Sequence, residues 1–358
     1  MGKRWTSGRT RLVVVAVLAV LSLVLVGGFV VVRKLDRSPL DKALGLVPAS
    51  SLRVSFTDWK QVRERLRPKG LVSRVEIENF MSRGYDTDLT AASSIDESAA
   101  ALKAKYGFSP VNAEWEAYAQ SRQGAVMVLQ LRSDTDMKAI EDKLDGLGYD
   151  RPSSATGVWN GGVDLVATID PTITPELQYV VVDADRHLVL SSDTHAYAAS
   201  AAKVVTGKAK SLSGSALVDL ADRVPDPASA FLWADDFACE DLSMSQAAND
   251  DRALADRLVT KAGGIDPLSG LLMSMRPDRT VDVAMAFQDS RQAKENLRPR
   301  AQLVVGEAVG RGGSLADTFK LTRSRTAGPD VVLTLKPLEK EGFALSEINS
   351  GPVLFATC

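Results

Sequence analysis

Few residues in this chain are of a type and spacing that could do chemistry. Its only histidines, His187 and His195, stand near Asp183, Asp185 and Asp193 in the run DADRHLVLSSDTH, a mixture of borderline and hard donors that suits a metal ion. The spacing works against it. HLVLSS reads as the apolar second strand of a hairpin, an extended chain from 187 to 195 travels roughly 25 Å, and Asp193 or Thr194 is placed to cap the helix that follows. Ser200 and Lys203 in SAAK fit the S-x-x-K pattern of β-lactamases, but the companion S-D-N and K-T-G boxes are absent and Ser200 falls inside an alanine-rich helical stretch rather than opening one. ADDFACED gathers Asp235, Asp236, Glu240 and Asp241 without the spacing of a calcium loop, as a solvated strand end would. No G-x-S-x-G elbow, H-E-x-x-H or phosphate-cradling glycine loop occurs, and GRGGS at Gly310–Ser314 follows a helical stretch instead of a strand. The residues therefore predict no catalytic group, no cofactor and no metal.

The elements around these residues begin with an apolar run. From Leu12 to Val32 there is no charge, and a helix of that length spans roughly 30 Å, the hydrocarbon core of a bilayer. A cleaved signal peptide would have a shorter apolar region followed by an A-x-A-like site, and VGGFVVV supplies none. The expectation is a cytoplasmic tail over 1–11, a transmembrane helix over 12–32 and a juxtamembrane linker over 33–47. Lys3, Arg4, Arg9 and Arg11 precede the run without an acid, while Arg33, Lys34, Arg37 and Lys42 follow it mixed with Asp36 and Asp41. A large C-terminal region translocates whatever its charge, so the N-terminus is predicted inside and the remainder outside the cytoplasm. The chain carries a formal charge of −2. Its most basic stretch, RQAKENLRPRAQ, contains Glu295 and reads as a solvated helix face, so no nucleic-acid partner is expected.

The exported part reads as α+β with two similar halves, 48–210 and 211–358, each strand, helix, strand, helix, hairpin. GFSPVN from Gly107 parallels GIDPLS from Gly264, a turn in which glycine ends a helix and proline prevents its resumption. Strand residues around Val126 and Val281 then lead to Asp134-Thr135 and Asp289-Ser290, read as helix N-caps. Upstream, SLRVSFTDW and SAFLWADDF are strands ending at Asp58 and Asp235, poised before helices. Downstream, ELQYVVVDADRHLVLSSD and TFKLTRSRTAGPDVVLTLKP are both hairpins around a polar turn.

The blocks GFSPVNAEWE, DPLSGLLMSMRPDR, ENLRPRAQLVVGEAVGRGGSL and SGPVLFATC resemble a group of single-pass actinobacterial membrane proteins of unknown function. That resemblance implies a fold and a location at the cell membrane and no catalytic residues. In such an oxidising setting, two cysteines are most simply one disulfide, Cys239 to Cys358, with Val353, Leu354 and Phe355 docked to bring the last residue to its partner.

Two functional classes follow. The first is a non-enzymatic envelope protein, anchored by its N-terminal helix, that binds an envelope protein or component through the surface or cleft between its two halves. The alternative is an envelope-acting hydrolase using carboxylates such as Asp235 and Glu240.

Overall fold

The computed structural model describes residues 37–358. The stretches read as cytoplasmic tail and transmembrane helix, 1–11 and 12–32, lie outside the described residues, among which no helix is long and apolar enough to cross a membrane.

The chain from Pro39 to Cys358 forms one compact unit built on a single antiparallel sheet. In chain order its elements are α1 (Pro39–Leu44), β1 (Arg53–Thr57), α2 (Trp59–Leu66), α3 (Arg74–Asp86), α4 (Ala99–Lys105), β2 (Ala113–Ser121), β3 (Gly124–Leu131), α5 (Met137–Leu147), β4 (Val158–Asn160), α6 (Gly162–Ile169), β5 (Tyr179–Asp183), β6 (Leu188–Ser192), α7 (His195–Val205) and α8 (Ala216–Ala221). There follow β7 (Ser229–Ala234), α9 (Phe237–Asp241), α10 (Asn249–Ala262), β8 (Gly270–Met275), β9 (Val281–Ala286), α11 (Ser290–Leu303), β10 (Phe319–Ala327), β11 (Asp330–Pro337) and α12 (Leu345–Asn349).

The eleven strands lie in the order β10-β11-β9-β8-β7-β1-β2-β3-β6-β5-β4. This overturns the expected plan of two separate halves. β1 and β7 are hydrogen-bonded neighbours at the middle of the sheet, in register from Arg53↔Trp233 to Thr57↔Ser229. Separate halves would leave both strands with an open edge, and pairing them satisfies the backbone groups there. The expected halves also lacked strands that the sheet contains, β2 and β4 in one and β8 in the other. From the central pair a first flank runs outward through β2, β3, β6, β5 and β4, and a second through β8, β9, β11 and β10.

Local chemistry sets the ends of several elements. Asp58 accepts from Gln61 N at the start of α2, and Asp289 accepts from Arg291 N and Gln292 N at the start of α11, so the Asp289 cap and the helix after Asp58 are where the sequence placed them. At α5 the cap is Asp136 rather than Asp134, which instead pairs with Arg132. The expected hairpins are β5–β6 and β10–β11. The tail of the expected linker, from Pro39, is helix α1, with Leu40, Ala43, Leu44 and Val47 all buried.

The core is split by the sheet. On the broad face, α2 to α6 cover the first flank and α10, α11, α12 and the C-terminal tail cover the second, through Val62, Phe80, Ile140, Ala293, Leu345 and Phe355 among others. On the opposite face, α1, α7 and α8 pack Leu40, Ala201 and Leu217 against Val54, Ala117, Leu232 and Leu272. Burying one such leucine or phenylalanine contributes about 1.5–3 kcal/mol. Strands covered on both faces lose the polar alternation that usually marks them.

Candidate functional site

The acids and cysteines that stand out in the sequence converge at one end of the central strand pair. β7 ends at Ala234, and Asp235 turns the chain with a left-handed φ of 51° before the five-residue helix α9 begins. A helix this short has no stability of its own in water. It is fixed by its surroundings: a Cys239–Cys358 disulfide with Cα atoms 5.6 Å apart, a bond from Val353 N to Leu242 O of 2.8 Å, and a bond from Trp233 Nε1 to Asp241 Oδ2 of 2.6 Å. The apolar ending does dock, since Val353, Leu354, Phe355 and Ala356 are all buried.

Helix α9 forms one wall of a groove of about 290 Å³ whose other wall is the end of β1 and the β2–β3 turn, through Leu52, Arg53, Gln120 and Arg122. The guanidinium of Arg53 lies 5.6 Å from the ring centre of Phe231 and 5.5 Å from that of Trp233, a cation–π arrangement, and 3.9 Å from Asp241 Oδ2. Arg122 donates to Glu240 Oε2 at 2.8 Å. The groove thus offers two guanidinium groups and two carboxylates over an apolar base, drawn from parts of the chain more than a hundred residues apart.

This arrangement does not assemble acid–base chemistry. Glu240 is exposed and ion-paired, and Asp235 and Asp236 are exposed as well. Neither Asp235 nor Glu240 has the buried setting that would tune a general acid. Among the described residues no three His, Cys, Asp or Glu side chains are grouped to hold a metal. His187 sits in the β5–β6 turn at φ 53°, while His195 opens α7 against Tyr179, their rings 5.7 Å apart. Ser200 and Lys203 lie within α7.

Nothing local in the sequence marks three deeply buried ionisable groups, Glu116, Asp88 and Arg300. Glu116 on β2 is fully inaccessible and accepts from Trp59 Nε1 (3.0 Å), Ser93 Oγ (2.9 Å), Ser94 N (2.6 Å) and Ser94 Oγ (2.8 Å). Burial pushes its carboxyl above the ordinary glutamate range, and these donors oppose the shift. Asp88, at φ 60°, accepts from Ala344 N and Ser346 N, each at 2.8 Å, and so ties the first flank's cover to the chain just before α12. On the second flank Arg300 is 0 % exposed and donates to Phe355 O (2.6 Å), Thr357 O (2.7 Å) and Asp266 O (2.5 Å). Burial pulls its guanidinium down to about 9, against the pull of nearby Asp266. All three are held by structural partners, although Arg300 Nε is buried without one. A further hollow of about 570 Å³ lies beside α5, with Lys103, Arg132 and Lys143 at its edge. Arg132 is held by Asp134 and Lys143 by Ala104 O.

No protein-family model matches the chain, and no curated protein matches it. Among solved structures, crystal form I of TP0453 is similar with a TM-score of 0.40 at 8% identity, over 86% of this chain and 96% of that one. Crystal form III of TP0453 is similar with a TM-score of 0.38 at 7% identity, over 83% and 94%. Likeness at this level assigns the chain neither a family nor a function.

Proposed function

We propose that the protein is a membrane-anchored, extracytoplasmic envelope protein of non-enzymatic binding or scaffolding type, and that its partner, a protein or other component of the envelope, meets the groove between α9 and the β2–β3 turn. The observation that carries this reading is the disulfide-pinned wall. A five-residue helix is held by a covalent bond to the last residue of the chain, which pre-organises one side of a concave, polar surface. Disulfides persist in oxidising compartments, and the uncharged run Leu12–Val32 has the length of a membrane span. Both favour an N-terminus in the cytoplasm and Pro39–Cys358 outside it. The hydrolase alternative built on Asp235 and Glu240 gains no support, because Glu240 is occupied by Arg122.

Crosslinking of intact cells followed by capture of the full chain tests the reading. The expected result is a discrete partner whose recovery falls when Arg53 and Arg122 are both replaced by Glu. An unchanged set of captured molecules would remove the groove from consideration. Protease added to wall-stripped cells tests the location separately, and a C-terminal tag protected until the membrane is lysed would overturn it.

A further inference from the structure

A second concentration of charge lies on the opposite face of the sheet, at the far end of the second flank, and it is independent of the groove beside α9. Register places it there. Thr334 pairs with Asp282 across β11 and β9, Arg323 pairs with Thr334 and Lys320 with Lys336 across β10 and β11, while Val283, Leu333 and Leu335 point into the core of the broad face. Lys320, Arg323 and Lys336 are exposed. Between this hairpin and the segment after α8 runs a groove of about 270 Å³, lined by Arg223, Arg276, Arg323 and Arg325 together with Asp222 and Asp282.

The buried acids here are already engaged. Asp282 is buried and takes both Arg276 Nε (2.8 Å) and Nη2 (2.9 Å), as well as Thr334 Oγ1 (2.8 Å). Asp330 is buried and takes Arg223 Nε at 2.8 Å. Asp222 remains at the rim, exposed to water. Arg325 donates only to a carbonyl, Arg223 O, at 2.6 Å, and neither it nor Arg323 forms an ion pair among the described residues. Lys320 and Lys336 face each other directly across the hairpin, a like-charge pair that works against strand pairing unless an anion lies near. Two fixed guanidinium groups with two unpaired ones beside them match the donor geometry that phosphate oxygens accept, and planar guanidinium is the side chain best suited to it.

We propose that this groove binds the phosphate group of an anionic ligand, with Arg323 and Arg325 as donors and Lys320 and Lys336 as flanking charge. The phosphate could belong to a soluble ester or to a lipid headgroup, and the two sources separate experimentally. The full chain in nonionic detergent micelles is titrated with inorganic pyrophosphate, and in parallel phosphatidylglycerol or phosphatidylcholine is added to the micelles, with hydrogen exchange of the β10–β11 amides as the common readout. Protection by pyrophosphate indicates a soluble ester, and protection by phosphatidylglycerol alone indicates a lipid headgroup. In either case R323A and R325A should each raise the midpoint about tenfold. The Arg323 side chain makes no hydrogen bond among the described residues, so its loss should leave the thermal midpoint unchanged and report on the ligand alone. The proposal is overturned if neither probe protects the hairpin, or if both variants respond as the parent does.

Discussion

The two flanks of the sheet bury opposite charges in opposite ways. On the first flank the buried ion is Glu116, held by an indole, two hydroxyls and an amide from Trp59, Ser93 and Ser94. All of these lie in the segment that runs from β1 to β2, which the sheet anchors at both ends. On the second flank the buried ion is Arg300, held by three backbone carbonyls, two of which belong to the last four residues of the chain. A segment tethered at both ends loses little further entropy on docking, whereas a terminus tethered at one end frays unless it is tied down. The second flank has a disulfide where the first has hydrogen bonds alone. The ions also differ in their means of escape: a buried carboxylate can take up a proton, and a guanidinium must keep its charge and its acceptors.

Replacing Arg300 should therefore have the largest effect. R300M removes the donor to three carbonyls and frees the tail, and we expect a loss of about 3–5 kcal/mol in urea denaturation, because three buried acceptors lose a charged donor at once. A loss below about 1 kcal/mol would mean that the disulfide alone holds the terminus.

Next comes the disulfide. C239S or C358S should lower stability by about 2–4 kcal/mol, with the double variant little worse than either, because each single change already removes the bond. Additive losses would show that the sulfur atoms matter as packing and not as a bridge.

On the first flank, E116Q should cost about 1–2 kcal/mol, since an amide cannot accept all four hydrogen bonds. This variant also reads out pH. The folded carboxyl titrates above the ordinary value near 4.5, so the folded state binds the proton more tightly than the unfolded one. The stability this contributes is fully present below that value and is lost as pH rises through the folded pKa. The parent's advantage over E116Q should thus shrink from acidic towards neutral pH. A gap that stays constant would place Glu116 in one protonation state throughout.

The smallest effect is expected at the groove beside α9. Arg122 and Glu240 form an exposed pair, worth about 0–1 kcal/mol, so R122A should leave the denaturation midpoint nearly unchanged while altering capture of a partner. A large drop in midpoint would recast the pair as structural.

What the sequence conveyed follows from which signals are local. The Asp289 cap, the helix that follows Asp58, the two hairpins and the pairing of Cys239 with Cys358 depend on short spacings or on a count of two, and the structure contains all of them. β2 went unread because AEWEAYAQS alternates small residues with acids and aromatics, and both of its faces are covered. Trp115 and Ala117 go to one core while Glu116, between them, goes to the other side. β8, GLLMSM, is buried at every position and shows no period to detect. The joining of β1 to β7 is a contact between residues some 170 positions apart, and nothing in either strand announces its partner. The same holds for Arg300, which reads as one more cation on a charged helix until the chain's end folds over it. In the groove beside α9, the acids of ADDFACED were visible, but their arginine partners, Arg53 and Arg122, come from distant strands.

The register that joins Arg53–Thr57 to Ser229–Trp233 also sets a clock. A chain made from its N-terminus exposes β1 long before its neighbour exists. At roughly 5–20 residues per second, the interval between Thr57 and Ser229 lasts on the order of 10–30 s. During that time one edge of the first flank is an open template for any other strand, its own copies included. Folding is thus gated by a late arrival, a high-contact-order step that slows completion and gives holding chaperones a defined period in which to act. Cys358 can meet Cys239 only once the whole second flank has been laid down, so the bond that pins α9 cannot form before the strands it braces have been made.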